Sequence, residues 1–176
     1  VTDVASVKLA PLRELHALGA DVSRYVGSHP MAGRERGGAV SARADLFVGR
    51  PWVIANHDGV ADRRAADSAL EALALDLGAA PVHLDAAEHD RSVARVSHVP
   101  QVISSLLAAR LIEGSDAAVS LIGQGFRDTT RIAGSQPDLW MQILGANSDQ
   151  VVGVLERYRS DLDTVISALS DPSAPG

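Results

Sequence analysis

The stretch PVHLDAAEHDRSVARVSHVPQVISSLLAARLI, residues 81–112, decides the fold because the pattern of the chain changes within it. It opens with the β-rich run Val82–Leu84, and Asp85 and Glu88 then have the spacing of a capping box at the start of a helix. A helical pattern fills the rest of the stretch. Pro100 falls inside it and predicts a kink or a split, because proline lacks the backbone donor and clashes with the preceding turn. The sequence therefore predicts a structural boundary near residue 85.

Before this boundary, short β-rich runs alternate with helical patterns. Leucines at helical spacing predict helices over Pro11–Leu18 and Asp62–Leu77, and each pattern stops at a glycine. Strand, helix, strand in this order is typical of an α/β sheet. The predicted strands are Val1–Asp3, Tyr25–Gly27, Pro51–Ala55 and Val82–Leu84. With so few strands, residues 1–84 resemble the end of a larger sheet.

After the boundary, every pattern is helical. Beyond the long stretch, helices are predicted over Asp116–Ile122, Phe126–Ala133, Pro137–Ala146 with Ser135 as its cap, and Asp149–Leu169. These helices carry apolar stripes that fit either an ordinary core or an interface between subunits. The predicted fold class is thus α/β plus all-α, with the α/β part over residues 1–84 and the helical part over residues 85–176.

Composition excludes several classes of protein. With 46% apolar residues and a mean hydropathy of +0.07, the 176-residue chain is a foldable, water-compatible globule. No apolar run approaches the roughly 20 residues that span a bilayer, and the first residues lack the features of a signal peptide, so we expect a cytoplasmic protein that does not bind membranes. The net charge of −6 argues against nucleic acid as a partner. The chain has no cysteine and no histidine spacing typical of metal ligands, so we expect no metal site.

Two candidate residues follow predicted strands. Ser6, in the segment DVASVK, comes after the first strand, where a hydroxyl in an α/β sheet faces a ligand; the alternative is that it caps the next helix. His29, in the turn GSHPMAG, has the ordinary pKa near 6.5 that suits a general base at neutral pH. A lone histidine is otherwise structural or solvated. Glu35 lies just beyond and either gates this loop, biases the pKa of His29, or is a solvated acid.

A third candidate segment is GQGFRDTTRIAG, residues 123–134. Arg127 and Arg131 are four residues apart, so they share one face of a helix and together suit a carboxylate. Gly125 lets a ligand approach the backbone. The alternative is a surface ion pair with Asp128. His89-Asp90 and Ser97-His98 are weaker signals along the long helical stretch.

Taken in order, DVASVK, GSHPMAG, the HD pair at 89 and 90, SHVP at 97–100 and GFRDTTRIAGSQPDLW at 125–140 resemble the prephenate dehydrogenase family. The resemblance spans nearly the whole chain. It implies the C-terminal part of a Rossmann-type nucleotide-binding domain, followed by a helical domain through which two copies form a homodimer.

The resemblance also implies an activity, the oxidative decarboxylation of prephenate to 4-hydroxyphenylpyruvate in tyrosine biosynthesis, with NAD as hydride acceptor and NADP not excluded. It implies that His29 accepts the proton of the 4-hydroxyl, that Ser6 positions His29 and the nicotinamide, and that Arg131 binds a substrate carboxylate. Further residues implied on the substrate side are Ser97, His98, Arg127, Glu35 and Asp128, and Gly125 is implied on the cofactor side.

Two departures leave alternatives open. The chain lacks the glycine-rich phosphate loop of a nucleotide-binding domain, so by itself we expect it to bind NAD poorly. Arg34 and Gln101 stand where the resemblance leads us to expect a small polar residue or a histidine, so arogenate remains an alternative substrate. A hypothesis of another class is a helical association module without catalysis.

Overall fold

A three-stranded sheet lies at the centre of the first half of the chain. The computed structural model describes residues 1–33, 38–56 and 64–171. The strands are β1 (Gly27–Pro30), β2 (Pro51–Asn56) and β3 (Ala80–Asp85), in the order β1-β2-β3. β2 and β3 run parallel, whereas β1 runs antiparallel to β2, with His29 opposite Val53.

The prediction of a strand over residues 1–3 is wrong in part. Residues 1–3 lie beside β1 but contribute only one parallel bridge, from Thr2 to Val26. The Val26 amide donates to the carbonyl of Val1 at 3.0 Å. The second strand also begins later than predicted, since regular pairing starts at Gly27. The strands predicted at residues 51 and 82 are confirmed as β2 and β3.

Two helices accompany the sheet, α1 (Leu9–Ala17) and α2 (Arg64–Asp76). Gly19 and Gly78 follow them with φ of 66° and 74°, which confirms the predicted stops, because glycine adopts this left-handed conformation without steric cost. α2 packs on β2 and β3. The buried core between them consists of Val26, Trp52, Ile54, Leu70, Ala74 and Ala79.

The predicted boundary stretch forms three consecutive helical segments. Asp85 caps α3 (Ala86–Val93) by accepting from the amides of Ala87 and Glu88 at 2.9 and 3.0 Å, as its spacing predicts. A π-helical turn (Ala94–His98) follows, and then α4 (Val99–Ala109). Pro100 lies in the first turn of α4, where a missing donor leaves no hydrogen bond unmade. The predicted interruption at Pro100 is therefore confirmed, and it takes the form of a wider turn.

The remaining helices follow the predicted pattern closely. They are α5 (Asp116–Ser120), α6 (Gln124–Thr130), a 3₁₀ turn (Arg131–Gly134), α7 (Pro137–Ala146) and α8 (Ser148–Ser170). The predicted cap is wrong, because the residue before α7 is Gln136 and the Ser135 hydroxyl donates back to the carbonyl of Ile132 at 2.7 Å. A second core, around Ala94, Val99, Val151 and Val154, joins α4 and α8 to the π turn.

The outer face of α8 is apolar and exposed. Leu162, Val165, Ile166 and Leu169 recur at helical spacing and are 53 to 75% exposed. α8 is long, but among the described residues no helix is both long and apolar enough to cross a membrane. The stripe therefore favours the predicted interface between subunits over an internal core.

Asn147, at the junction of α7 and α8, connects this junction to α3 and to the π turn through buried contacts. Its buried amide donates to the carbonyl of Asp90 at 2.8 Å and lies 3.2 Å from Nδ1 of His98. We expect Asn147→Ala to lower the free energy of unfolding by about 1–3 kcal/mol, because both acceptors lose a partner in a buried place. Urea denaturation measures the loss. Ser148→Ala, at the exposed neighbouring position, is the control, with an expected change under about 0.5 kcal/mol; equal losses would contradict the role of Asn147.

Candidate active site

A cavity of about 350 Å³ lies where the end of β1 meets the π turn and the 3₁₀ turn. It brings together three residues predicted from separate motifs, Ser6, His29 and Arg131. Ser97 and His98 also line it. Its other walls are formed by Met31, Gly33, Val96, Pro100, Gln101, Ile132, Ser135, Leu139, Trp140 and Ile143. The cavity therefore gathers both predicted catalytic residues and half of the predicted substrate-side residues.

Ser6 and His29 converge because residues 1–3 and the start of β1 run parallel. Parallel segments end at the same edge, and the Ser28 hydroxyl fastens them by donating to the Asp3 carbonyl at 2.7 Å. Because β1 is antiparallel to β2, the end of β1 that carries His29 lies at the opposite edge of the sheet from the carboxyl ends of β2 and β3. The site belongs to the β1 edge alone.

The loop that presents Ser6 is held by a buried ion pair. The ammonium group of Lys8 is buried and contacts the Asp3 carboxylate and the Ser28 carbonyl. Burial lowers the pKa of Lys8, and the hydrogen bond to Asp3 opposes this shift. Asp3 also accepts from the Ala5 amide at 2.8 Å and from the Tyr25 hydroxyl. The loop is thus fixed on both sides of Ser6.

Ser6 does not cap α1, so that alternative is wrong. The residue before α1 is Lys8, whose side chain makes no capping bond. The Asp90 carboxylate caps the helix instead, accepting from the amides of Lys8 at 2.8 Å and Leu9 at 3.0 Å. Sequence analysis missed this cap because Asp90 lies 82 residues from Lys8. Ser6 is left to line the cavity.

His29 is connected to two buried residues behind it. Its Nδ1 lies 2.9 Å from Nε2 of His89, and Nδ1 of His89 lies 2.8 Å from Oδ1 of Asp90. The two imidazole rings meet edge to face with centroids 5.2 Å apart. The HD pair was noted only as a weak signal in the sequence, and its contact with His29 across 60 residues was not predicted.

The ordinary pKa near 6.5 that the sequence predicted for His29 is wrong in this environment. Burial, and then the positive charges that His89, Lys8 and His98 can carry, lower the pKa of His29 from 6.5 to about 3, while Asp3 opposes them. The ring is therefore neutral at physiological pH and has a free base site. A ring with this pKa is a weak base, and added negative charge nearby would strengthen it.

His98 is the second histidine of the cavity, and it is buried. It is 1% exposed, and burial lowers its pKa from 6.5 to about 4, against the opposing charge of Asp90. Because the Asn147 amide donates to its Nδ1, the proton of the neutral ring is on Nε2. The Trp140 ring stands edge to face against it at 6.2 Å. His98 thus has one donor available beyond its bond to Asn147.

Arg131 begins the 3₁₀ turn, and α4 fixes the backbone around it. Gln101 donates to the Ile132 carbonyl at 2.9 Å, and Ser104 donates to the Thr129 carbonyl at 2.8 Å. Gln101, whose identity was unexpected, is therefore largely structural here. Arg131 also lines an adjoining cavity of about 710 Å³ together with Arg50 and the ion pair of Arg43 with Asp45. Basic side chains therefore outnumber acidic ones on this side of the site.

The other predicted residues lie apart from the cavity. Arg127, Asp128 and Gly125 belong to the exposed face of α6 and are absent from the cavity wall formed by the described residues. Asp128 accepts from the Gln124 amide at 2.7 Å, and in the described part of the chain no ion pair joins it to Arg127. Glu35 lies outside the described residues, as does Arg34.

Ser6 also lines a second cavity of about 740 Å³, whose wall combines small apolar residues such as Val4 and Ala5 with the polar side chains of Arg13, Glu14 and Gln142. The chain has no glycine-rich loop to bind the diphosphate. Among residues 1–33, 38–56 and 64–171, no group of three or more histidine, aspartate and glutamate side chains could hold a metal ion.

Two family models match the chain in succession. The model "Prephenate dehydrogenase, nucleotide-binding domain" matches residues 1–80, and "Prephenate dehydrogenase, dimerization domain" matches residues 85–175. "Probable prephenate dehydrogenase NovF" from Streptomyces niveus is 43% identical over 168 residues, which are 95% of this chain and 46% of that protein. The chain spans about half the length of the curated relatives it matches.

Solved structures show the same architecture. Arogenate dehydrogenase from Synechocystis is 32% identical with a TM-score of 0.80, over 99% of this chain and 63% of that one. Prephenate dehydrogenase from Aquifex aeolicus, in complex with hydroxyphenyl propionate and NAD+, is 26% identical with a TM-score of 0.85, over 98% of this chain and 60% of that one. These likenesses confirm the predicted fold class, part of a Rossmann-like sheet followed by a helical dimerisation domain.

The two histidines of the cavity predict a loss of stability in acid. Unfolding restores an ordinary pKa to His29 and His98, so between pH 6.5 and about 4 the unfolded chain binds more protons than the folded one. The stability they contribute is complete above pH 6.5 and falls as the pH falls. For His98 the loss is about 2 kcal/mol at pH 5. Urea midpoints at pH 7.5 and 5 measure it.

His98→Asn should flatten this dependence, whereas His16→Asn, on the exposed end of α1, should leave it unchanged. A His98→Asn protein with the full acid sensitivity of the unaltered chain would contradict the assignment.

Proposed function

We propose, because the chain belongs to the prephenate dehydrogenase family, that it forms the substrate-binding and proton-accepting side of an enzyme that oxidatively decarboxylates prephenate. The observation that carries the proposal is the shared cavity of Ser6, His29 and Arg131. Residues more than 100 positions apart line a space suited to a small anion. A helical association module would not need this convergence.

His29 is the proposed base. Its neutral ring takes the proton of the substrate's 4-hydroxyl as that carbon is oxidised to a carbonyl. Loss of the ring carboxylate as CO2 then leaves its bonding pair in the ring, which becomes aromatic, and the phenolate oxygen takes the proton back from His29. The nicotinamide cofactor, NAD or NADP, supplies the hydride acceptor. His29 therefore ends the cycle as it began.

The charge of the substrate explains how a base with such a low pKa is effective. Two carboxylates entering the cavity offset the positive charges around His29 and raise its proton affinity. Arg131 is the proposed partner of one carboxylate, since a guanidinium binds both of its oxygens. Ser97 and the Nε2 donor of His98 are proposed to complete the polar wall, and Ser6 to lie between His29 and the nicotinamide.

Arogenate is the second candidate substrate. It carries an ammonium group where prephenate has a keto group, and the Synechocystis relative is an arogenate dehydrogenase. The described cavity wall contains no aspartate or glutamate to pair with an ammonium group, which favours prephenate. Assay of the complete encoded protein with both substrates decides between them.

Homodimerisation through the helical part is proposed as well. The matching family model is a dimerisation domain, and the apolar stripe of α8 supplies a surface for it. Val165→Lys should shift the chain toward monomer in sedimentation velocity, because a charge in an apolar interface is costly. Thr164→Lys, on the opposite face of α8, is the control. Two variants that both remain dimeric would exclude the stripe as the interface.

The roles of Arg131 and His29 predict different kinetic losses in the complete encoded protein. Arg131→Ala should raise KM by about 10- to 100-fold with a smaller change in kcat, because it removes a binding contact. His29→Ala should lower kcat by about 10²- to 10⁴-fold, since it removes the base. Arg127→Ala, one turn away and outside the cavity wall, is the matched control and should change neither by more than about 3-fold. The reverse pattern in the first two variants, or an equal loss in the third, would contradict these roles.

A further inference from the structure

A line of three side chains, His29, His89 and Asp90, extends from the cavity into the interior. The contacts are 2.9 Å between the imidazoles and 2.8 Å from His89 to Asp90, and both His89 and Asp90 are buried. We propose that His89 is a positioning residue that fixes the tautomer of His29 and connects it to the negative charge of Asp90. The proposal rests on the function proposed above for His29.

Asp90 sets the direction of the hydrogen bonds. Its carboxylate accepts from the amides of Lys8 and Leu9 and from His89. Although burial raises the pKa of Asp90, these bonds, with that from His89 first, bring it below its ordinary value, so the group is a carboxylate at neutral pH. An ionised carboxylate only accepts. Nδ1 of His89 therefore carries a proton.

The position of the proton on His89 then determines the tautomer of His29. In the proposed arrangement the His89 ring carries this one proton, so its Nε2 accepts and Nδ1 of His29, 2.9 Å away, donates to it. The remaining nitrogen of His29, Nε2, is left with its lone pair. It has no hydrogen-bond partner among the described residues, and His29 lines the cavity. A substrate hydroxyl in the cavity thus meets the basic nitrogen and not the protonated one.

The same line lowers the cost of charging His29. When Nε2 takes a proton, the imidazolium still donates from Nδ1 to His89, and the charge of Asp90 stabilises it through His89. The other charged or titratable groups near His29 are Lys8, Asp3 and His98, and Arg131 lines the same cavity. Asp3 raises the pKa of His29, although its carboxylate also pairs with Lys8. Asp90, whose ion-pair partner in the described residues is His89, is a second negative charge that acts on the base through His89.

A purely structural role for His89 is the competing explanation. Asp90 caps α1 through two backbone amides, and its carbonyl accepts from Asn147, all without His89. The contact between His89 and His29 is not one of these hydrogen bonds. Loss of this contact should therefore affect the proton affinity of His29 more than the stability of the fold.

Nitrogen-15 NMR of the unaltered chain at pH 7.5 tests the tautomers directly, and it does not require activity. We expect the unprotonated nitrogens to be Nε2 of His29 and Nε2 of His89. A His29 ring protonated at Nε2, or a His89 ring protonated at both nitrogens, would overturn the proposal. Because no substrate or cofactor is involved, this outcome is independent of whether the proposed dehydrogenase activity is found.

Two variants separate the two contacts of His89 in the complete encoded protein. The amide of His89→Asn occupies the place of Nδ1 and retains the bond to Asp90, whereas that of His89→Gln reaches the place of Nε2 and retains an acceptor for His29. We expect His89→Asn to lower kcat by about 10- to 100-fold with KM within about 3-fold, since His29 loses its fixed tautomer. His89→Gln should retain more of kcat but move the acid limb of its pH profile to lower pH by at least about half a unit, because the charge of Asp90 no longer reaches the base.

His83→Gln, an exposed histidine on β3, is the matched control and should leave both quantities unchanged. Losses in kcat of equal size in both His89 variants with an unmoved acid limb would show a structural role only and overturn the proposal. If no variant and no parent has dehydrogenase activity, the proposed function fails, whereas the NMR result still decides the tautomers.

Discussion

Asp90 connects segments that are far apart in the chain through four hydrogen bonds. Its carboxylate accepts from the start of α1 and from His89, and its carbonyl accepts from Asn147 at the start of α8. A buried carboxylate without partners is very costly, and here two backbone amides and His89 satisfy it. The α1 amides add the positive end of a helix dipole. Asp90 therefore connects α1 to α3 and, through Asn147, to the start of α8.

The surroundings of His29 and His98 affect both the stability of the fold and the chemistry of the site. Dry surroundings lower the pKa values of His29 and His98, so both rings stay neutral and accept or donate single protons in fixed directions. The same surroundings make His29 a weak base and make the fold sensitive to acid. A solvated histidine would be a stronger base, but its ring would lack a fixed tautomer. In this arrangement the His29 ring is held in a fixed orientation, but its proton affinity is low.

The sequence predicted the elements better than the contacts. Local signals were sufficient for the Asp85 cap, the interruption at Pro100 and the glycine stops after α1 and α2, because each depends on neighbouring residues. Family resemblance placed Ser6, His29 and Arg131 in one site, and they share a cavity. The Asp90 cap of α1 and the contact of His29 with His89 join residues 82 and 60 positions apart, and no periodic pattern reports such pairs. The roles of Gln101 and Ser104 were missed for the same reason.

The low pKa of His29 also bears on the proposed reaction. With a pKa of about 3, the ring by itself gains little from taking a proton. If the substrate is a dianion, as proposed, its charge would add to that of Asp90 in stabilising the imidazolium. The proposed substrate would thereby strengthen the base that acts on it. A neutral or cationic molecule of the same shape would lack this effect, so the proposal implies selection for anions at the proton transfer as well as at Arg131.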